Sequence, residues 1–169
     1  MRVSPIGVVF DTLEEVAAEA KRCADVTHNH PEGVKGAQAT AVAVFLARSG
    51  QTKEAIKAHI EREYGYNLSE SLDAIRPQYF FDVSCQGSVP QSIVAFLESN
   101  DYEDAVRNAI SLGGDADTMG CIAGAIAEAF YGGVPDHIAR PVMEKLDDRL
   151  EGVVNEFTAK YGSRLLRPR

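Results

Sequence analysis

The chain has no tryptophan, only three cysteines and no long apolar run. Cys23, Cys85 and Cys121 are odd in number and far apart, so a disulfide scaffold is excluded in favour of reduced thiols in a cytoplasmic chain. No apolar stretch approaches the ~20 residues of a membrane span, and the opening residues do not read as a secretory leader. Positive charge is also scarce. Lys and Arg number 17 against 25 Asp and Glu, a net charge of −8, which argues against nucleic acid or an anionic membrane as the main partner. It does not exclude a small anionic ligand, which helix N-termini can hold. Alternating strand patterns are missing, as are the phosphate loop G-x-x-x-x-G-K-S/T and the nucleophile elbow G-x-S-x-G. The lack of tryptophan excludes nothing.

What is present is ordinary for a globule: 169 residues, 45% hydrophobic and 25% charged. That length makes one domain, 1–169, burying about two-thirds of its unfolded surface. Apolar residues recur with helical period almost throughout, which predicts an all-α orthogonal multi-helix bundle.

Local signals place the helices. Arg2 to Gly7 holds Pro5 and Gly7 without a cap and reads as loop. Thr12 and Glu15 form a capping box for a helix to about Val26. Asn29 with Glu32 reads as the next cap, with Pro31 in the first turn. That helix stops near Ser49-Gly50, and Thr52 opens another. Ser71 to Ile75 is a short helix, and Phe80 to Gly87 an extended loop. Ser88 to Gln91 reads as a capping box before Ile93, Val94, Phe96 and Leu97. Asp101 caps the helix that ends at Gly113-Gly114. Pro135 to Ala139 is a short helix that Pro141 breaks. Met143, Leu146, Leu150, Val153 and Phe157 mark the last helix, and 164–169 reads as a frayed tail.

The stretch Ser111 to Gly133, SLGGDADTMGCIAGAIAEAFYGG, carries the chemistry. The paired glycines read as a left-handed stop and a tight turn. Asp115, Asp117 and Thr118 then open a helix, with Asp115 as its cap. Acidic residues suit a first turn, but two carboxylates two residues apart repel, and Lys and Arg are absent from Leu112 through Tyr131. A hard cation would resolve the repulsion, since carboxylate and hydroxyl oxygens are ligands that Mg²⁺ accepts. Plain capping is the competing reading. Met119, Ile122, Ile126 and Phe130 form the apolar stripe, with Cys121 assigned to packing. Gly120 and Gly124 inside the helix each cost about 1 kcal/mol relative to alanine, which points to close approach of a neighbouring helix or a ligand.

Thr27-His28-Asn29-His30 is the second candidate. Two histidines one residue apart can bind zinc, but no further Cys or His lies nearby; a solvated loop and a ligand contact are the other readings.

GGDADTMGCIAGAIAEAFYG resembles the C-terminal metal motif of the ADP-ribosylglycohydrolase family. The resemblance implies a two-magnesium centre to which Asp115, Asp117 and Thr118 contribute ligands. THNHPEGVKGAQATAVAVFLAR is similar to the family's threonine-histidine segment, and implies that His28 faces ADP-ribose, donating to a phosphate or ribose hydroxyl. MRVSPIG is similar to its substrate loop, and implies contacts from Ser4 and Gly7. FDVSCQGSVPQSIVAFLES is also similar, and is assigned to packing and site shape.

The resemblance covers only the later part of the family's domain. The Thr-Asp-Asp motif that supplies the family's other metal ligands is absent; the sole Asp-Asp pair is Asp147-Asp148. Met1 matches an internal methionine of the pattern. The implied activity is hydrolysis of the ribose C1 bond of an ADP-ribosylated substrate, weak or absent in this chain alone. A non-catalytic ADP-ribose-binding or assembly module is the alternative. Absent helices would expose apolar faces, from which a homo-oligomer, or a partner chain supplying the segment, is expected.

Overall fold

The computed structural model describes residues 1–165. Among them lie ten α-helices and no strand, as an all-α chain should show. The helices are α1 (Ser4–Val9), α2 (Leu13–Asp25), α3 (Pro31–Arg48), α4 (Lys53–Tyr64), α5 (Leu72–Ile75), α6 (Cys85–Leu97), α7 (Tyr102–Ser111), α8 (Ala116–Tyr131), α9 (Asp136–Met143) and α10 (Asp148–Tyr161). A 3-10 turn, Gly162–Arg164, closes the described chain.

The centre is α3 against α8. Helix α3 touches α1, α2, α4, α6 and α8, so it is apolar on nearly every side and buries Ala39, Ala41 to Val44, Leu46 and Ala47. Helix α8 packs on α3, α6 and α7 and buries Met119, Ile122, Ala123, Ile126 and Ala127. Its glycines let α7 come close: a Cβ on Gly124 would stand 3.3 Å from Val106 Cγ2 and 3.4 Å from the Tyr102 hydroxyl. Cys121 is exposed rather than packed, because two residues turn it about 200° from Met119, onto the opposite face.

The local caps form where the spacing placed them. The Thr12 hydroxyl accepts from Glu15 N at 3.2 Å while the Glu15 carboxylate accepts from Thr12 N at 3.2 Å. Thr52, Ser71 and Asp101 each cap the helix that follows.

Other starts differ. The expected loop at Arg2 to Gly7 is largely helix α1. It is held from a distance: Arg48 Nε donates to Gly7 O at 2.7 Å and its other guanidinium nitrogen to Phe10 O, while Arg164 donates to Val9 O at 2.6 Å and to Asp11 at 2.7 Å. Two arginines thus satisfy the carbonyls that a six-residue helix leaves open. Arg164 is therefore anchored, not frayed, Leu165 packs against the core, and 166–169 of the expected tail lie outside the described residues.

His30, not Asn29, caps α3. Pro31 has no N–H, so the turn's first donor is Glu32 N, and His30 Nδ1 accepts it at 3.2 Å. Helix α6 starts at Cys85, because the Ser84 hydroxyl accepts from Gly87 N at 3.1 Å. The expected box at Ser88 to Gln91 therefore lies inside a helix, with Pro90 buried in it. Helix α9 runs through Pro141 to Met143, and the last helix begins only at Asp148, where Asp147 caps it.

Candidate metal and nucleotide site

The turn before α8 is built from Gly113 and Gly114, at φ of +76° and +64°. This backbone favours glycine, and at Gly114 space also demands it: a Cβ there would fall 2.7 Å from Tyr79 Cε1. The Tyr79 ring lies across the turn and is anchored by its hydroxyl, which donates to Gly87 O at 2.7 Å. This contact lays the loop 79–84 beside the start of α8.

Asp115 occupies the cap position, yet its carboxylate makes no capping bond. That corrects the expected cap. The Asp117 carboxyl is held below the usual carboxylate range, first by the neighbouring Asp115 side chain and then by the Thr118 N–H. Thr118 N donates to Asp117 Oδ1 at 2.9 Å. Asp117 is exposed and ionised at neutral pH, and no Lys, Arg or His pairs with either acid among the described residues. The Thr118 hydroxyl stands one residue on. Two carboxylates and a hydroxyl free of cations are the donors Mg²⁺ takes, so the residues fit such an ion. They do not surround it. No third His, Cys, Asp or Glu joins them among the described residues.

The starts of α3, α6 and α8 share one rim. A Cβ on Gly36 of α3 would stand 2.9 Å from Cys85 Cβ at the start of α6, and burial pushes the Cys85 thiol up, with the Met1 amine opposing and Glu32 adding to the rise. Burial pushes the Tyr79 hydroxyl up, and the Asp82 and Asp115 carboxylates add to it. Phe80, Phe81 and Val83 on this loop are 75%, 66% and 72% exposed.

His28 lies at the turn between α2 and α3 and is exposed. Its Nδ1 is 2.7 Å from the Thr27 hydroxyl, to which Arg2 also donates. No hydrogen bond joins His28 to Asp115 or Asp117. His30 spends its Nδ1 on the α3 cap.

Ser4 and Gly7 are placed differently. Gly7 is buried against α3, where a Cβ would stand 2.4 Å from Ala41 O. The Ser4 hydroxyl donates to Met1 O at 3.1 Å, and the residue lines a cavity between α1, α8, α9 and α10. The residues that spacing missed are Tyr79 and Asp82 at the rim and Glu128 in that cavity. Only the Asp82-Val-Ser84 spacing, an acid just before a cap, offered a local hint.

The family profile described as ADP-ribosylglycohydrolase matches residues 1–165, and the chain belongs to that family. ADP-ribosylhydrolase ARH3 of Homo sapiens is 29% identical over 177 residues, covering 78% of this chain and 49% of that protein. ADP-ribosylarginine hydrolase Tri1 of Pseudomonas putida is 30% identical over 156 residues, covering 82% of this chain and 42% of that protein. An uncharacterized protein of Archaeoglobus fulgidus is 29% identical, with 88% of this chain and 52% of that one covered. The chain spans about half the length of the curated relatives it matches. Among the described residues no helix is long and apolar enough to cross a membrane.

Proposed function

We propose that this chain contributes one side of a magnesium-dependent centre that hydrolyses the C1 glycosidic bond of an ADP-ribosylated substrate. The observation that carries it is the Asp115 carboxylate, which makes no capping bond and stands two residues from Asp117, with no Lys, Arg or His paired to either among the described residues. Asp115, Asp117 and Thr118 would hold the ion. Bound Mg²⁺ would act as a Lewis acid on the ribose hydroxyls and the attacking water. The chain's own residues do the rest. His28 donates to a phosphate or ribose hydroxyl. Phe80 and Phe81 offer exposed ring faces beside the acids, on which a planar base can stack. Gly7 and Ser4 seat and start α1, and so fix the Met1 to Gly7 segment beside the rim. In hydrolysis the water oxygen bonds to C1, the bond from C1 to the acceptor atom breaks, and a proton ends on the acceptor.

With only two carboxylates gathered, this chain alone should turn over weakly or not at all. A non-catalytic ADP-ribose-binding module is the second reading, favoured by that same short donor set. Calorimetry with ADP-ribose, with and without Mg²⁺, beside hydrolysis of ADP-ribosyl-arginine and ADP-ribosyl-serine, tests both. Mg²⁺-dependent binding with slow turnover fits the hydrolase. Binding without turnover fits the module, and no binding contradicts both.

The exposed Val142, Leu150 and Val153 on α9 and α10 support association with a second copy or a partner chain. Light scattering at micromolar concentration tests the homo-oligomer, and a clean monomer contradicts it. The three free thiols are in keeping with a cytoplasmic setting.

A further inference from the structure

Helices α9 and α10 bury no residue of their own. They stand off from α8 and leave a cavity of about 810 Å³, within the range of small-molecule sites. Most of its wall is apolar, including Val44, Ile138, Met143 and Phe157. Glu128 of α8 lines it, with the Tyr102 hydroxyl alongside. Among the described residues the half-buried Glu128 carboxyl makes no hydrogen bond or ion pair, and burial raises it above the usual range. The other acid on the wall, Asp101, is engaged in capping α7, where it accepts from Asp104 N at 2.8 Å. Among the described residues no Lys, Arg or His lines the cavity.

Among the described residues, this half-buried carboxyl in an apolar chamber lacks a counter-ion. We propose that this cavity is a second binding site, apart from the carboxylates at the start of α8, for a lipophilic amine: an ammonium bonded to Glu128 with an apolar body against α1 and α10. The Tyr102 ring on the same wall adds a face that favours a cation. Glu128 sits three turns along α8 from Asp117, so the two acids serve different ends of one helix.

The test titrates the whole chain with three probes of one shape: 4-phenylbutylamine, 4-phenylbutan-1-ol and 4-phenylbutyrate. The amine should bind at least tenfold more tightly than the alcohol, and the carboxylate not at all. Glu128→Gln should bring the amine down to the level of the alcohol. Backbone amide shifts in the native chain should move at Ser4, Ala125 and Phe157, which keeps the test valid if the variant folds poorly. Equal binding of amine and alcohol, a preference that survives Glu128→Gln, or shifts confined to other surfaces would overturn the proposal. So would a dimer that buries the cavity and ignores the amine.

Discussion

Tyr79 lies over Gly114 so closely that one added carbon on the glycine would fall 2.7 Å from the ring. The contact joins the loop before α6 to the turn before α8, and it sets where Asp115 emerges. Gly113, one residue earlier, has the same handedness of backbone but open space around it.

The two glycines should therefore respond differently. Gly113→Ala meets only the left-handed backbone, a cost of about 1–2 kcal/mol. Gly114→Ala adds the clash with Tyr79 and should cost more, about 3 kcal/mol in all. It should also weaken divalent-ion binding, whereas Gly113→Ala should leave that binding close to the parent's. Chemical denaturation and ion titration of both variants give the comparison.

Arg48 holds the end of α1 from inside the core. It donates to Gly7 O and Phe10 O, its ring contact is Phe45, and its side chain is almost fully buried. Arg48→Ala leaves those carbonyls without donors and should cost about 3 kcal/mol. Arg164→Ala, at a more open site, should cost about 1 kcal/mol. Urea midpoints at constant slope would show the ordering.

Glu128 makes a stability prediction independent of any ligand. Burial raises its carboxyl above 4.5, so the folded state favours the neutral form. Stability linked to this group is full below its unfolded pKa and lost as pH rises through the folded one. Gln cannot ionise. Glu128→Gln should therefore gain stability over the parent as pH rises above 4.5, and the gain should vanish at lower pH. Melting temperatures of both proteins between pH 4 and pH 8 measure it.

How much of this was legible in the sequence follows from the range of each interaction. The capping box at Thr12, the caps at Thr52, Ser71 and Asp101, and the stripe of Met119, Ile122 and Ile126 depend on neighbours within one turn, and all were readable. Helix α1 was not, because the groups that satisfy its carbonyls, Arg48 and Arg164, come from far along the chain. The start of α6 at Cys85 was hidden because Pro90 reads as a first-turn proline yet sits inside. The acids at Asp115 and Asp117 were visible as a pair. That Asp115 leaves its cap depends on the turn beside Tyr79, which no local spacing reports. Glu128 carries no signal in the sequence, since its chamber exists only through the stance of α9 and α10.

The most direct test of the metal reading is a Mn²⁺ titration followed by paramagnetic broadening of backbone amides, with Mg²⁺ as competitor. Broadening should centre on Asp115 to Met119, reverse with Mg²⁺, persist from pH 8 to about pH 5, and disappear in Asp117→Asn, since Asp117 ionises below the usual carboxylate range. No broadening at millimolar ion, or the same broadening in Asp117→Asn, would contradict it.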